Sequence, residues 1–167
     1  GHPFCQDANA PGTSGVGPMP LNNPNGIRWS TSLGYLSLSR ARLNLTIRPN
    51  VTAKRIVFEK DGDHTAATGV AVVSGNDTFI VEGHEIILSA GAIASPQLLM
   101  LSGIGPKKHI EEHGIQCIVD SPGVGQNLRD HPLILLKWVT KPEILLDPMG
   151  PSGQVLLRYT AEHSTIQ

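Results

Sequence analysis

His109-Ile110-Glu111-Glu112-His113 is the stretch whose residue types come nearest to a hydrolytic centre. On a helix, an H-x-x-E-H spacing sets two imidazoles on one face with a carboxylate beside them, a pattern used to hold zinc. Zinc hydrolysis also needs a third protein ligand and an open position for water. Here the helix is confined between Pro106 and Gly114, among Lys107, Lys108 and Glu111. The segment therefore reads as a solvated polar face, and no metal is expected. Gly103-Ile104-Gly105 and Gly123-Val124-Gly125 each begin like a dinucleotide fingerprint, but Lys108 and Leu128 stand where its third glycine belongs. Both are expected to be turns, and Gly105-Pro106-Lys107-Lys108 is no phosphate loop. Cys5 and Cys117 are too few and too far apart for a disulfide framework or a zinc site.

A different chemistry is suggested by Ser89-Ala90-Gly91, which follows the apolar run Glu85-Ile86-Ile87-Leu88 and precedes the Leu-rich segment Leu98–Leu101. A short continuous apolar run suits a central strand of a parallel sheet, covered on both faces. A strand that breaks through small residues into a helix lets backbone approach a large planar or phosphorylated ligand, because no side chain stands in the way. Ser95-Pro96 is expected to cap that helix, with the proline at its first position, and Gly103 to stop it.

The elements that must position this corner can be read on either side of it. Residues 1–26 are a Gly/Pro/Asn-rich lead-in, and Ser30 or Thr31 can cap a helix reaching about Arg42. Leu43, Leu45 and Ile47 alternate with polar residues, the period of a half-buried strand. Ala53 to Glu59, Val70 and Val72, and Thr78 to Glu82 predict a β-meander, with turns at Asp61-Gly62-Asp63 and Ser74-Gly75-Asn76-Asp77. A helix from Pro106 to Gly114, a strand over Ile115–Val119, a Pro/Gly loop, and renewed β structure over Leu133–Val139 complete the pattern. The mixture is α/β with an antiparallel excursion.

Composition narrows the function classes. The 167 residues carry 13 basic and 14 acidic side chains, which argues against a nucleic-acid partner. No apolar run approaches the ~18 residues of a membrane span. Gly1-His2-Pro3-Phe4-Cys5 has neither the charged region nor the apolar core of a secretory signal, so a reduced, cytoplasmic location is expected. Three sequons, at Asn44, Asn50 and Asn76, suit strand edges and turns without glycosylation.

Taken in order, Gly26–Thr31, Tyr35-Leu36, Asn44–Ile47, Val51, Thr68–Val70, Glu85–Gly91, Gly91–Pro106 and Pro122–Pro132 resemble the glucose–methanol–choline (GMC) family of FAD-dependent alcohol oxidoreductases, in particular its choline-dehydrogenase-like branch. The resemblance implies part of an FAD-binding, Rossmann-like domain with a β-meander over residues 1–132. It also implies the beginning of an antiparallel-sheet substrate-binding domain over 133–167. By the same resemblance Val51 matches the position whose backbone contacts the adenine of FAD. Ser89, Ala90 and Gly91 match the strand end against the ADP part, and Asn127, Asp130 and His131 match the passage into the substrate domain. Asp130 also has a purely local reading, as the cap of the turn before Pro132.

The family oxidises an alcohol by hydride transfer to flavin, with a histidine taking the hydroxyl proton. Neither the family's Gly-rich pyrophosphate loop nor its catalytic histidine segment is matched here, so none of the seven histidines is assigned a catalytic role. The expected partners are a small-molecule alcohol and the remaining segments of the parent chain. Choline would need an aromatic or anionic site, and none can be placed with 4% aromatic residues. Two readings stand: a segment of an FAD-dependent alcohol oxidoreductase, or a non-redox relative such as a hydroxynitrile lyase or an inert fragment.

Overall fold

Alternating apolar and polar residues between Thr52 and Glu82 build the most regular part of the chain. The computed structural model describes residues 1–62, 64–144, 147, 150 and 153–164. In chain order its elements are β1 (Gly15–Pro18), α1 (Ser37–Ser39), β2 (Thr52–Asp61), β3 (His64–Ser74) and β4 (Asp77–Glu82). There follow α2 (Gly91–Leu101), β5 (Ile104–Gly105), α3 (Lys107–Glu112), β6 (Val119–Asp120) and β7 (Val155–Arg158). They fall into two units, one of Ile47–Leu135 and one of Gly1–Thr46 with Leu136–Gln167.

In the unit Ile47–Leu135, β2, β3 and β4 form the expected meander, antiparallel and in that order. Pairings such as Ile56↔Val70 and Val72↔Phe79 set its register, and two irregularities interrupt the β2–β3 ladder. Gly62 and Gly75 turn the chain at φ near +60°, a left-handed conformation that suits glycine; Asp63, expected in the first turn, lies outside the described residues. Ile56, Ala71 and Val72 are buried, and α2 packs against β2. The junction is polar as well as apolar. Ser102, just past α2, accepts the Ile56 N–H at 2.8 Å and donates its hydroxyl proton to the Leu98 carbonyl. Because β2 is an edge strand, that outward N–H has no ladder partner and needs the serine.

Beyond α2 the chain reverses at Gly103 (φ +86°), whose carbonyl accepts N–H groups from Ile118 and Val119 at 2.8 and 3.1 Å. β5 and β6 pair in parallel there. α3 ends as expected at Gly114 (φ +72°), with the Ile115 N–H closing on the Ile110 carbonyl at 3.1 Å. Ile110 is 1% exposed and anchors this end of the core.

The other unit holds β1 and β7 as an antiparallel pair, joined by a parallel bridge from Phe4 to Val16. The approach is close. A Cβ on Gly17 would lie 1.8 Å from the Cys5 carbonyl oxygen, which is why a glycine stands opposite that backbone. In the same unit a wide turn over Ser32–Leu36 runs into α1, with the Ser30 hydroxyl accepting the Leu33 N–H at 3.3 Å.

Several predicted elements differ. The first helix ends at Ser39 and not near Arg42, and residues 43–48 are turns and irregular backbone. That segment finds no ladder among the described residues; instead the Arg48 guanidinium lies 5.2 Å over the Phe79 ring. Glu85–Leu88 belongs to none of the three sheets, and Ile87 is exposed. α2 begins at Gly91, so Ser95 and Pro96 lie inside it. Ser95 turns back to accept the Ala90 N–H at 3.1 Å. Of Ile115–Val119 only its last residue is paired, and Leu133–Val139 forms no strand and stays exposed. Leu43–Ile47, Glu85–Leu88 and Leu133–Val139 have a strand's pattern but no partner strand among the described residues. No helix of the described residues is long and apolar enough to cross a membrane.

Candidate functional site

Ser89, Ala90 and Gly91 are exposed and form the entry to α2, with Ala90 as its N-cap residue. Gly91 has φ +86°, and a Cβ built on it would meet nothing within 4 Å. No side chain caps this helix end and no acidic residue lies in its first turn. The corner thus offers backbone N–H donors, the helix's positive end and no steric cover. Ser95 ties down the Ala90 N–H, which orders the corner from within the helix. This contact was not legible in advance, because the expected cap was five residues too late.

Val51 is half-buried and immediately precedes β2, whose register starts at Thr52↔Val73, so its own backbone lies outside the ladder. Asn50 before it takes φ +58°. Val51 and the 89–91 corner thus flank β2 and α2, the two elements tied together by the Ser102–Ile56 bond.

Asn127 adopts φ +56° and is exposed. It lines a groove of about 580 Å³ with Ala92, Ile93, Met100 and Arg129, on the side of α2 that begins at the corner. The structure therefore brings Asn127 to the helix that carries Ala90 and Gly91. Asp130 and His131 lie beyond the residues lining the groove. The Asp130 carboxylate accepts the His131 N–H at 2.7 Å, the local capping contact. Gln97, Met100 and Arg129 are groove residues that motif reading did not single out; an apolar helix face left uncovered would have been the signal.

Of the two glycine pairs expected to be turns, Gly103-Ile104-Gly105 turns only at Gly103 and then enters β5, where Gly105 pairs with Asp120. Gly123 to Gly125 lie in a turn closed by the Val124 N–H on Ser121 and the Gln126 N–H on Gly123. His109 and His113 project from α3 and its end, with ring centroids 4.9 Å apart. Among the described residues no group of three His, Cys, Asp or Glu side chains is placed to hold a metal ion.

A flavin dinucleotide is the group against which the corner has to be judged. Its ADP part is large and anionic. A bare left-handed glycine, two small neighbours and uncapped N–H groups suit it in charge and in space, and no carboxylate opposes it. The residues present fit.

Comparison with known proteins identifies the family. The family model described as GMC oxidoreductase matches residues 1–133. An oxygen-dependent choline dehydrogenase of Photobacterium profundum is 39% identical over 148 residues, 88% of this chain and 25% of that protein. The enzyme of the same name from Ectopseudomonas mendocina is 41% identical over 152 residues, 89% of this chain and 26% of its own. Among solved structures, a pyridoxine 4-oxidase from Mesorbium loti superposes with a TM-score of 0.66 at 33% identity, covering 73% of this chain and 23% of that one. A formate oxidase variant from Aspergillus oryzae gives 0.69 at 34% identity, covering 78% and 22%. The chain spans about a quarter of the length of the curated relatives it matches. From the family model over residues 1–133, the relatives and the shared fold together, the chain belongs to the GMC oxidoreductase family.

Proposed function

We propose that the complete protein oxidises a small-molecule alcohol, with choline the first to try, and that this chain supplies part of its FAD-binding domain. The observation that carries the reading is the identity of about 40% with choline dehydrogenases across nearly nine-tenths of the chain. FAD, when bound, accepts the hydride released from the alcohol carbon. This chain's share is binding and orientation. Val51 backbone and the Ser89–Gly91 corner would hold the ADP part, Gly91 by leaving space and the α2 N-terminus by offering donors. Asn127, Asp130 and His131 would mark the passage into the substrate domain, with the domain boundary at 132/133. No residue of the chain is assigned the role of base.

A cytoplasmic location goes with this reading, supported by Cys5 and Cys117, both free thiols. The test is anaerobic addition of choline and other primary alcohols to the desalted complete protein. Bleaching of its visible flavin band by at least one of them is expected. A flavin-loaded protein that no alcohol bleaches would overturn the alcohol-oxidising reading.

A further inference from the structure

We propose that His109 and His113 form a two-imidazole surface chelate for a single divalent late-transition-metal ion. The two residues stand four apart on α3 and its C-terminal end, so their side chains leave one face of the helix a turn apart. Both are exposed, and their ring centroids lie 4.9 Å apart. An ion bound at roughly 2.0–2.1 Å from one nitrogen of each ring requires rings at about that spacing. The rings now meet edge to face at 81°, so one has to turn about its terminal torsion to aim a nitrogen at the shared ion. That torsion is broad, and an exposed ring turns freely.

The helix end is already held in place. Ile110, between the two histidines in sequence, is 1% exposed, and the Ile115 N–H closes on its carbonyl at 3.1 Å. Little backbone order is lost on binding, which favours a weak chelate. Glu112 stands three residues after His109 on the same side of the helix and contributes negative charge, against Lys108 next in sequence. No third protein ligand is placed nearby among the described residues, so water completes the coordination. Two imidazoles with water select nickel, copper and zinc over magnesium and calcium. Such a site binds and pins the last turn of α3; it is no hydrolytic centre, and it does not depend on the flavin reading.

The experiment is calorimetric titration of the untagged full chain with nickel chloride, repeated for His109→Ala, His113→Ala and, as a control, His84→Ala. One saturable equivalent is expected in the unsubstituted chain. Each of the first two substitutions should weaken it about ten- to a hundredfold, because the second ligand then no longer acts at high effective concentration. His84→Ala should change nothing, and magnesium chloride should give no binding heat. Since a substitution could disturb α3, nickel broadening of histidine ring signals in the unsubstituted chain is read as well, and it should select His109 and His113. Nickel binding that is absent, that survives both substitutions, or that broadens other histidines instead would overturn the proposal.

Discussion

At the scale of single residues, two positions beside α2 hold the unit Ile47–Leu135 together. Ser102 is buried, and its hydroxyl both accepts from Ile56 and donates to Leu98. Ser102→Ala leaves the Ile56 N–H unsatisfied at a buried junction, and we expect it to lower unfolding free energy by about 1–3 kcal/mol. Denaturant titration checks this, and an unchanged midpoint would show that the bond contributes nothing. Gly103 poses a steric question. At φ +86°, a Cβ would lie 2.5 Å from the Gln116 carbonyl oxygen and 2.9 Å from the Ile118 side chain. Backbone must move to admit it, so Gly103→Ala should destabilise by at least about 2 kcal/mol. A melting temperature equal to that of the unsubstituted protein would refute the conformation assigned to this turn. The same residue was legible from the sequence as the end of the helix, whereas its role as acceptor for Ile118 and Val119 depends on residues fifteen and sixteen positions on.

Elements with local determinants were readable, and elements that need a distant partner were not. The meander follows from alternation plus Gly62 and Gly75, and α3 follows from Pro106 and Gly114. Glu85–Leu88 and Leu43–Ile47 have strand-like patterns too, but a ladder requires a second strand, and pattern does not say whether one is at hand. α2 illustrates the reverse error. Pro96 suggests a helix start, yet Ser95 bonding to Ala90 and the left-handed Gly91 start it earlier. For the candidate site, residue size marks Ser89–Gly91 as an open corner and only the family resemblance ties it to the ADP part, while the groove shared by Asn127 and α2 required the fold. The run Leu133–Val139 carries a further prediction. Leu133, Ile134, Leu135, Leu136, Trp138 and Val139 are all exposed, in a stretch that lacks proline and is rich in β-formers. Such a stretch templates pairing between chains. The isolated chain should therefore associate as concentration rises, and replacing Ile134 and Trp138 by lysine should suppress this in light scattering. A chain monomeric at all concentrations would contradict the prediction.

For the whole molecule, what matters is that the chain spans about a quarter of its relatives. In the proposed binding mode, Val51 and the Ser89–Gly91 corner would reach one part of a dinucleotide and would not offset the cost of immobilising all of it. The 167-residue chain alone is thus expected to retain little flavin after desalting and to show no alcohol turnover. A flavin-loaded, active isolated chain would refute this. The complete protein should behave oppositely, and the same corner should govern its occupancy. The most direct test is the visible absorption spectrum of the desalted complete protein, compared with its Ala90→Leu variant at matched thermal stability. In the proposed binding mode bulk at Ala90 would intrude on the ADP part, so the account predicts flavin bands in the unsubstituted protein and about a tenfold lower flavin-to-protein ratio in the variant, the equivalent of roughly 1.4 kcal/mol. A colourless complete protein, or a variant that keeps its full flavin content, would contradict it.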